Sequence, residues 1–208
     1  MTQDDIKQER SRLAKLAMEL IERRGADVTR ATLANEAQLS RSRIDTLFPE
    51  ETDLFDAIVE DWFAPDAAIM EDVLASDLPI KRKFYEFFAR RFVREQTRLR
   101  ERPDSFALYL ELGEERIEQV RGYIDLADHY MSELVAQAQA EGYFDGLKID
   151  AAMSLINQMV VCYTSPRLLL MLGDRLNVEK LGRIVDTLFA GLSAEEGGSR
   201  GVAGLRLA

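Results

Sequence analysis

Apolar residues recur along most of the chain at alternating steps of three and four, the period of one face of an α-helix. The first run, Ile6, Leu13, Leu16, Ala17, Leu20 and Ile21, predicts a long helix that stops at Gly25, a residue suited to a helix C-terminus. Between residues 28 and 54 the scale changes, and two short amphipathic helices fit with a three-residue joint between them. The first starts at Thr29, whose hydroxyl can cap free backbone N–H groups, and sets Leu33, Ala34 and Ala37 on one inward face. The joint is Gln38, Leu39 and Ser40. Ser40 caps the second helix, which turns Ile44, Leu47 and Phe48 inward and Arg41, Ser42, Arg43 and Thr46 outward. Small alanines at 34 and 37 permit the close backbone approach that two helices crossing over a tight turn require. Helices this short do not persist alone, so packing must hold them. The outward row of hydrogen-bond donors has the character of a helix that reads a major groove.

After the joint, Pro49 opens a long helix with Leu54, Phe55, Ile58, Val59, Trp62 and Phe63 as its apolar stripe, expected to pass Pro65 with a kink and reach Leu74. Pro79 begins another, with Phe84, Phe87, Phe88 and Phe92 inward. A third long helix spans 114–140, its seam running through Ile117, Val120, Ile124, Ala127, Met131, Leu134 and Ala138. It ends at Gly142, and a turn through Tyr143, Phe144, Asp145 and Gly146 leads to Asp150 as the cap of an apolar helix over 151–172. The last helix, 177–192, carries Val178, Leu181, Val185, Leu188 and Leu192. Two consecutive helices this apolar predict a four-helix bundle formed between two copies of the chain. Residues 194–208, rich in glycine and charge, are expected to be a flexible tail.

Charge sharpens this picture. The chain of 208 residues carries a formal charge of −10, so any contact with nucleic acid must be local rather than a property of the whole molecule. Residues 1–65 hold nine basic and fourteen acidic side chains, yet within 28–48 Arg30, Arg41 and Arg43 face only Glu36 and Asp45. The reading surface alone is slightly positive. Residues 81–102 hold nine basic against three acidic side chains, read as a solvated helix face partly paired through Glu86 to Arg90 and Arg91 to Glu95.

Little else in the chain suggests chemistry. Cys162 is the single cysteine, which excludes an internal disulfide and fits a reducing cytoplasm; its apolar helix predicts an inert buried thiol. His129, the only histidine, follows Asp125 by one turn, but two weak ligands do not make a metal site, and a core or pocket position is expected instead. Nucleophile elbows, phosphate-cradling glycine loops and dinucleotide fingerprints are missing. No enzyme, cofactor or metal is expected. The N-terminus has no signal-peptide apolar region, and Asn157, Gln158, Pro166 and Arg167 interrupt the most apolar stretch, so neither export nor a membrane span is expected.

Thr29, Leu33, Ala34, Ala37, Leu39, Ser40, Ile44, Phe48, Pro49 and Leu54, with the preceding helix ending at Gly25, resemble the DNA-binding domain of the tetracycline-repressor (TetR) family of bacterial transcriptional regulators. The resemblance implies an all-α protein with a three-helix helix-turn-helix domain over 1–48, the start of a linking helix over 49–63, and a helical bundle over 64–193 that binds a ligand and dimerises through 151–172 and 177–192. It implies a homodimeric repressor of double-stranded DNA, released by an unidentified small-molecule effector. Arg41, Ser42, Arg43 and Thr46, behind Ser40, would meet base edges or nearby phosphates, with Thr29 and Arg30 on the DNA backbone. Trp62, Phe63, Met70, Phe88, Tyr109, Tyr123, His129, Tyr130 and Met131 are the candidates to line the effector pocket. Three positions depart from the family pattern: Gln38 stands for a joint glycine, and Asp45 and Glu51 stand where a tyrosine and a lysine commonly meet phosphate. A TetR-fold module that has lost DNA affinity is the alternative.

Overall fold

The structure, a computed structural model, describes residues 2–25, 28–195 and 197–198. Among them the chain is helical, with no strand: α1 (Gln3–Arg24), α2 (Arg30–Ala37), α3 (Arg41–Leu47), α4 (Glu51–Ala75), α5 (Ile80–Glu101), α6 (Pro103–Glu115), α7 (Ile117–Ala140), α8 (Ile149–Thr164), α9 (Pro166–Leu172) and α10 (Val178–Leu192). Two compact units result, Met1–Ala67 with Arg102–Asp125, and Ala68–Glu101 with Leu126–Ala208. Helices α4 and α7 each pass from one unit to the other.

In the first unit α1 is long because both its ends are supplied locally. Thr2 and Asp5 form a reciprocal capping box, whose two hydrogen bonds hold the Asp5 carboxyl below its ordinary pKa, and Gly25 closes the helix at φ 85. Leu13, Ala17 and Leu20 of α1 bury against Leu33 of α2, Ile44 and Leu47 of α3, Phe48, and Leu54 and Ile58 of α4. A fully buried side chain of this size contributes about 1.5–3 kcal/mol, and such burial is what holds α2 and α3, which at 8 and 7 residues are below the length of an independently stable helix. Leu112 of α6 completes the core. Around it, the Trp62 and Tyr109 rings lie 4.3 Å apart, those of Phe63 and Tyr123 stack at 3.8 Å, and the Tyr109 hydroxyl donates to the Met18 carbonyl at 2.9 Å.

The second unit packs α5 on α10 and α8, with α9 against α8. Phe84, Phe87, Phe88 and Phe92 of α5 are all buried, as expected from their spacing. Phe84 meets Phe189 of α10 edge-on at 5.0 Å and Phe144 at 5.9 Å. Phe144 is fully buried in the turn after α7 although its φ is 60. Asn177 caps α10 by accepting from the Lys180 N–H at 2.9 Å.

The structure corrects several expected boundaries. The helix expected from Pro49 begins at Glu51, with the Asp53 carboxylate accepting from the Glu50 N–H. Helix α4 does run through Pro65 to Ala75. The segment 103–115 forms a helix of its own, and α7 begins at Ile117, beyond a break at Arg116 (φ −123, ψ 44). Of the expected α7 seam, Met131, Leu134 and Ala138 are buried, but Ile117 and Ile124 are 49% and 43% exposed. The apolar segment 151–172 is two helices rather than one, α8 and α9, bent by 51°. Proline has no N–H and pushes the residue before it out of the helical region; Ser165 accordingly sits at φ −90, ψ 116. Lys148, not Asp150, occupies the α8 cap, and Cys162 is half-buried rather than enclosed. No single helix among the described residues is long and apolar enough to cross a membrane. Within the expected tail, residues 196 and 199–208 lie outside the described residues.

Candidate nucleic-acid interface

Thr29 caps α2 as its position suggests. Its hydroxyl accepts from the Thr32 N–H at 3.2 Å, and the Thr32 hydroxyl accepts from the Thr29 N–H at 2.8 Å. Helix α2 ends in Gln38, which takes the left-handed conformation (φ 55, ψ 37) and turns the chain through Leu39 into α3. The Ser40 hydroxyl accepts from the Arg43 N–H at 3.2 Å, so Ser40 opens α3. Ile44 and Leu47 are buried, which fixes the roll of α3 and leaves Arg41, Ser42, Asp45 and Thr46 exposed on the opposite face. Arg41 has no ion pair among the described residues. The Thr46 hydroxyl donates to the Ser42 carbonyl at 2.8 Å and keeps its lone pairs free to accept.

The other two arginines of this surface are committed within the protein. Arg43 forms an ion pair with Glu9 of α1. Arg30 turns back across the joint between α3 and α4: its guanidinium donates to the Phe48 carbonyl at 2.8 Å and to the Pro49 carbonyl, and stands 3.4 Å from carboxylate oxygens of both Asp45 and Glu51. The two carboxylates that depart from the family pattern are thus the partners of one arginine. Two further residues position α3 without any local sequence signal. Arg10 of α1 donates to the Leu47 carbonyl at the end of α3 and lies 4.8 Å over the Phe48 ring, and Glu9 holds Arg43. Glu36 of α2 pairs with Arg23 and Arg24 at 2.8 and 3.2 Å, and the Arg23 hydrogen bond holds its carboxyl below the ordinary range. On the outside of α1, Lys7, Gln8, Ser11, Arg12 and Lys15 line an open groove of about 430 Å³.

The nine candidate effector-lining residues divide between the units. Trp62, Phe63, Tyr109 and Tyr123 belong to the first, where Trp62 pairs with Tyr109 and Phe63 with Tyr123. In the second, Met70, Phe88 and Met131 are buried. Tyr130 donates to the Glu71 carboxylate at 2.5 Å, a hydrogen bond that pushes its hydroxyl up to about 12. His129 is not a core residue of its unit: it is exposed, with Nε2 3.0 Å from Glu133. The basic face of α5 is paired internally, Arg90 with Glu86 and Asp72 as well as Arg94 and Arg98 with Glu95. Arg91, expected to meet Glu95, lies instead 4.4 Å over the Phe87 ring.

Residues 81–185 match the family model of the tetracyclin repressor-like C-terminal domain, about half of the chain. The chain belongs to the TetR family. Among solved structures, this TetR-family chain is similar to a TetR transcriptional regulator from Legionella pneumophila, with 17% identity over 86% of this chain and 95% of that one and a TM-score of 0.57. A lower similarity, TM-score 0.44 at 18% identity over 88% and 97% of the two chains, relates it to an HlyIIR mutant protein carrying a linker substitution. No curated protein matches its sequence. As a TetR-family protein it has the fold of a transcriptional regulator: a helix-turn-helix at its N-terminus and the family's helical C-terminal domain.

Proposed function

We propose that this TetR-family protein is a ligand-responsive repressor that binds a palindromic operator as a homodimer. One observation carries the proposal: α3 presents Arg41, Ser42 and Thr46 on a single exposed face while Ile44 and Leu47 lock the opposite face into the core. Such a helix fits a major groove, where an arginine meets guanine bidentately and hydroxyls meet either base edge or phosphate. Two copies would read half-sites about 34–36 Å apart, or a multiple of that spacing. Dimerisation through α8 and α10 is supported by Leu155 and Met159, which lie one turn apart and exposed on α8. An effector that prefers one spacing of the two reading heads would act through α4, one of the two helices common to both units. The protein would work in the cytoplasm, without catalysis or cofactor.

The test is an anisotropy titration against the DNA flanking its own coding sequence, and against a random-site library, at two salt concentrations. Specific binding that weakens with salt and falls about tenfold or more in Arg41→Ala is expected. Absence of binding at low salt in both DNA sets would overturn the repressor role and leave a TetR-fold module without DNA affinity.

A further inference from the structure

We propose that Glu51 is an autoinhibitory plug: its carboxylate occupies the seat at the start of α2 that a DNA phosphate would take, and it competes with that phosphate for Arg30. The inference rests on the DNA-reading function above. The first N–H groups of a helix have no partner within the helix and are drawn to anions. Thr29 satisfies one of them, that of Thr32. The Arg30 N–H is instead taken by Glu51, whose two carboxylate oxygens lie 3.3 and 3.1 Å away. The same carboxylate stands 3.4 Å from Arg30 Nε, yet that buried N–H finds no hydrogen bond in this arrangement. One carboxylate, reaching from the first turn of α4 across 21 residues of sequence, therefore meets both the backbone and the side chain of a residue at the edge of the reading surface. Both Glu51 oxygens are spent on the Arg30 N–H, whereas a DNA phosphate seated there could turn one of its two non-bridging oxygens to that N–H and the other to Nε.

The contact is exposed enough to be displaced, Glu51 being half open to solvent. An exposed pair of this kind is weak, so the plug sets a threshold rather than a block. It would lower affinity for any DNA by the work of expelling one carboxylate. It would also cancel one phosphate contact from the salt dependence, because the counterion released by DNA is offset by an anion already in place.

The test compares DNA titrations of the full-length protein and its Glu51→Ala and Glu50→Ala variants at four salt concentrations. Both variants lose one negative charge beside α3, but only Glu51 touches Arg30. Glu51→Ala is expected to raise affinity about three- to tenfold beyond any gain in Glu50→Ala. It should also steepen the slope of log K against log salt by about 0.9, one added phosphate. A parallel titration with inorganic phosphate follows the Arg30 amide by NMR, expected to shift in Glu51→Ala and not in the unaltered protein. If the unaltered protein binds DNA and the two variants gain equally, the plug is overturned and the DNA-reading function stands. If no protein binds DNA but the Arg30 amide responds to phosphate in Glu51→Ala alone, the plugged seat stands and the repressor role falls. No DNA binding together with an unresponsive amide overturns both.

Discussion

Gln38 holds φ 55 at the joint between α2 and α3, a conformation that costs an L-residue about 1–2 kcal/mol because its Cβ crowds the carbonyl that follows. Glycine has no such cost but gives the unfolded chain more freedom to lose. Gln38→Gly is therefore expected to stabilise by about 0.5–1 kcal/mol net, seen as a melting temperature higher by about 1–4 °C. No rise would mean that the glutamine side chain makes up the strain elsewhere. A second residue acts in the opposite sense. Lys83 is only 9% exposed, and its ammonium donates at 3.0 Å to the Leu74 carbonyl near the end of α4 and at 3.0 Å to Gln137 Oε1. Leu74 offers one of the four terminal carbonyls that α4 cannot satisfy itself, and a cation there is also favoured by the helix dipole. Lys83→Met keeps the apolar stem and strands both acceptors, at a cost of about 1–3 kcal/mol. Urea unfolding would show it as a lower midpoint with an unchanged m-value.

At the scale of elements, α10 owes its position to one ring more than to its caps. Phe189 is buried against Phe84 at 5.0 Å and Phe144 at 4.8 Å, with Tyr143 edge-on at 5.0 Å. Phe189→Ala should cost about 3–5 kcal/mol, since a turn already held at positive φ by Phe144 has little freedom to collapse into the cavity. Circular dichroism during denaturation would report the loss, and a cost below about 1 kcal/mol would mean that α10 is held from elsewhere. Elements of this kind were readable in advance because their cause is local. The period of Phe84, Phe87, Phe88 and Phe92, the caps at Thr29 and Ser40, and the stop at Gly25 all lie within a few residues of what they determine. The bend at Ser165 has a local cause too, in Pro166, but the apolar run over 151–172 masked it and read as one helix. What local pattern does not carry is the choice of partner across the chain. Arg30 and Arg43 read as outward cations, and it is Asp45, Glu51 and Glu9, brought near only by folding, that claim them. The outward half of the α7 stripe failed for a related reason: periodicity identifies an apolar face but not what covers it.

For the whole molecule, net charge and assembly would set the terms of the proposed contact between α3 and DNA. At −10 the chain repels a polyanion at long range, so two reading heads joined in a dimer have more to offer than one: the second contact is made without a second approach from bulk solution. The proposed dimer face on α8 carries Leu155 and Met159, 38% and 45% exposed, with Ile156 and Val160 buried behind them. Because the two exposed residues point away from their own core, replacing both with glutamate should leave the fold of each chain intact while placing four carboxylates in one apolar interface. Burying unpaired charge there costs far more than the two side chains contribute. If the proposed dimer forms, Leu155→Glu with Met159→Glu is therefore expected to sediment as a monomer at concentrations where the unaltered protein sediments as a dimer, with an unchanged helical spectrum. Its melting temperature should lose any dependence on protein concentration, which mass action imposes only on an assembling species. DNA affinity should fall at least about a hundredfold with it, as the avidity of paired half-sites disappears. A monomer that keeps full affinity would mean that each head reads its site alone, and a dimer that survives both glutamates would move the interface away from α8.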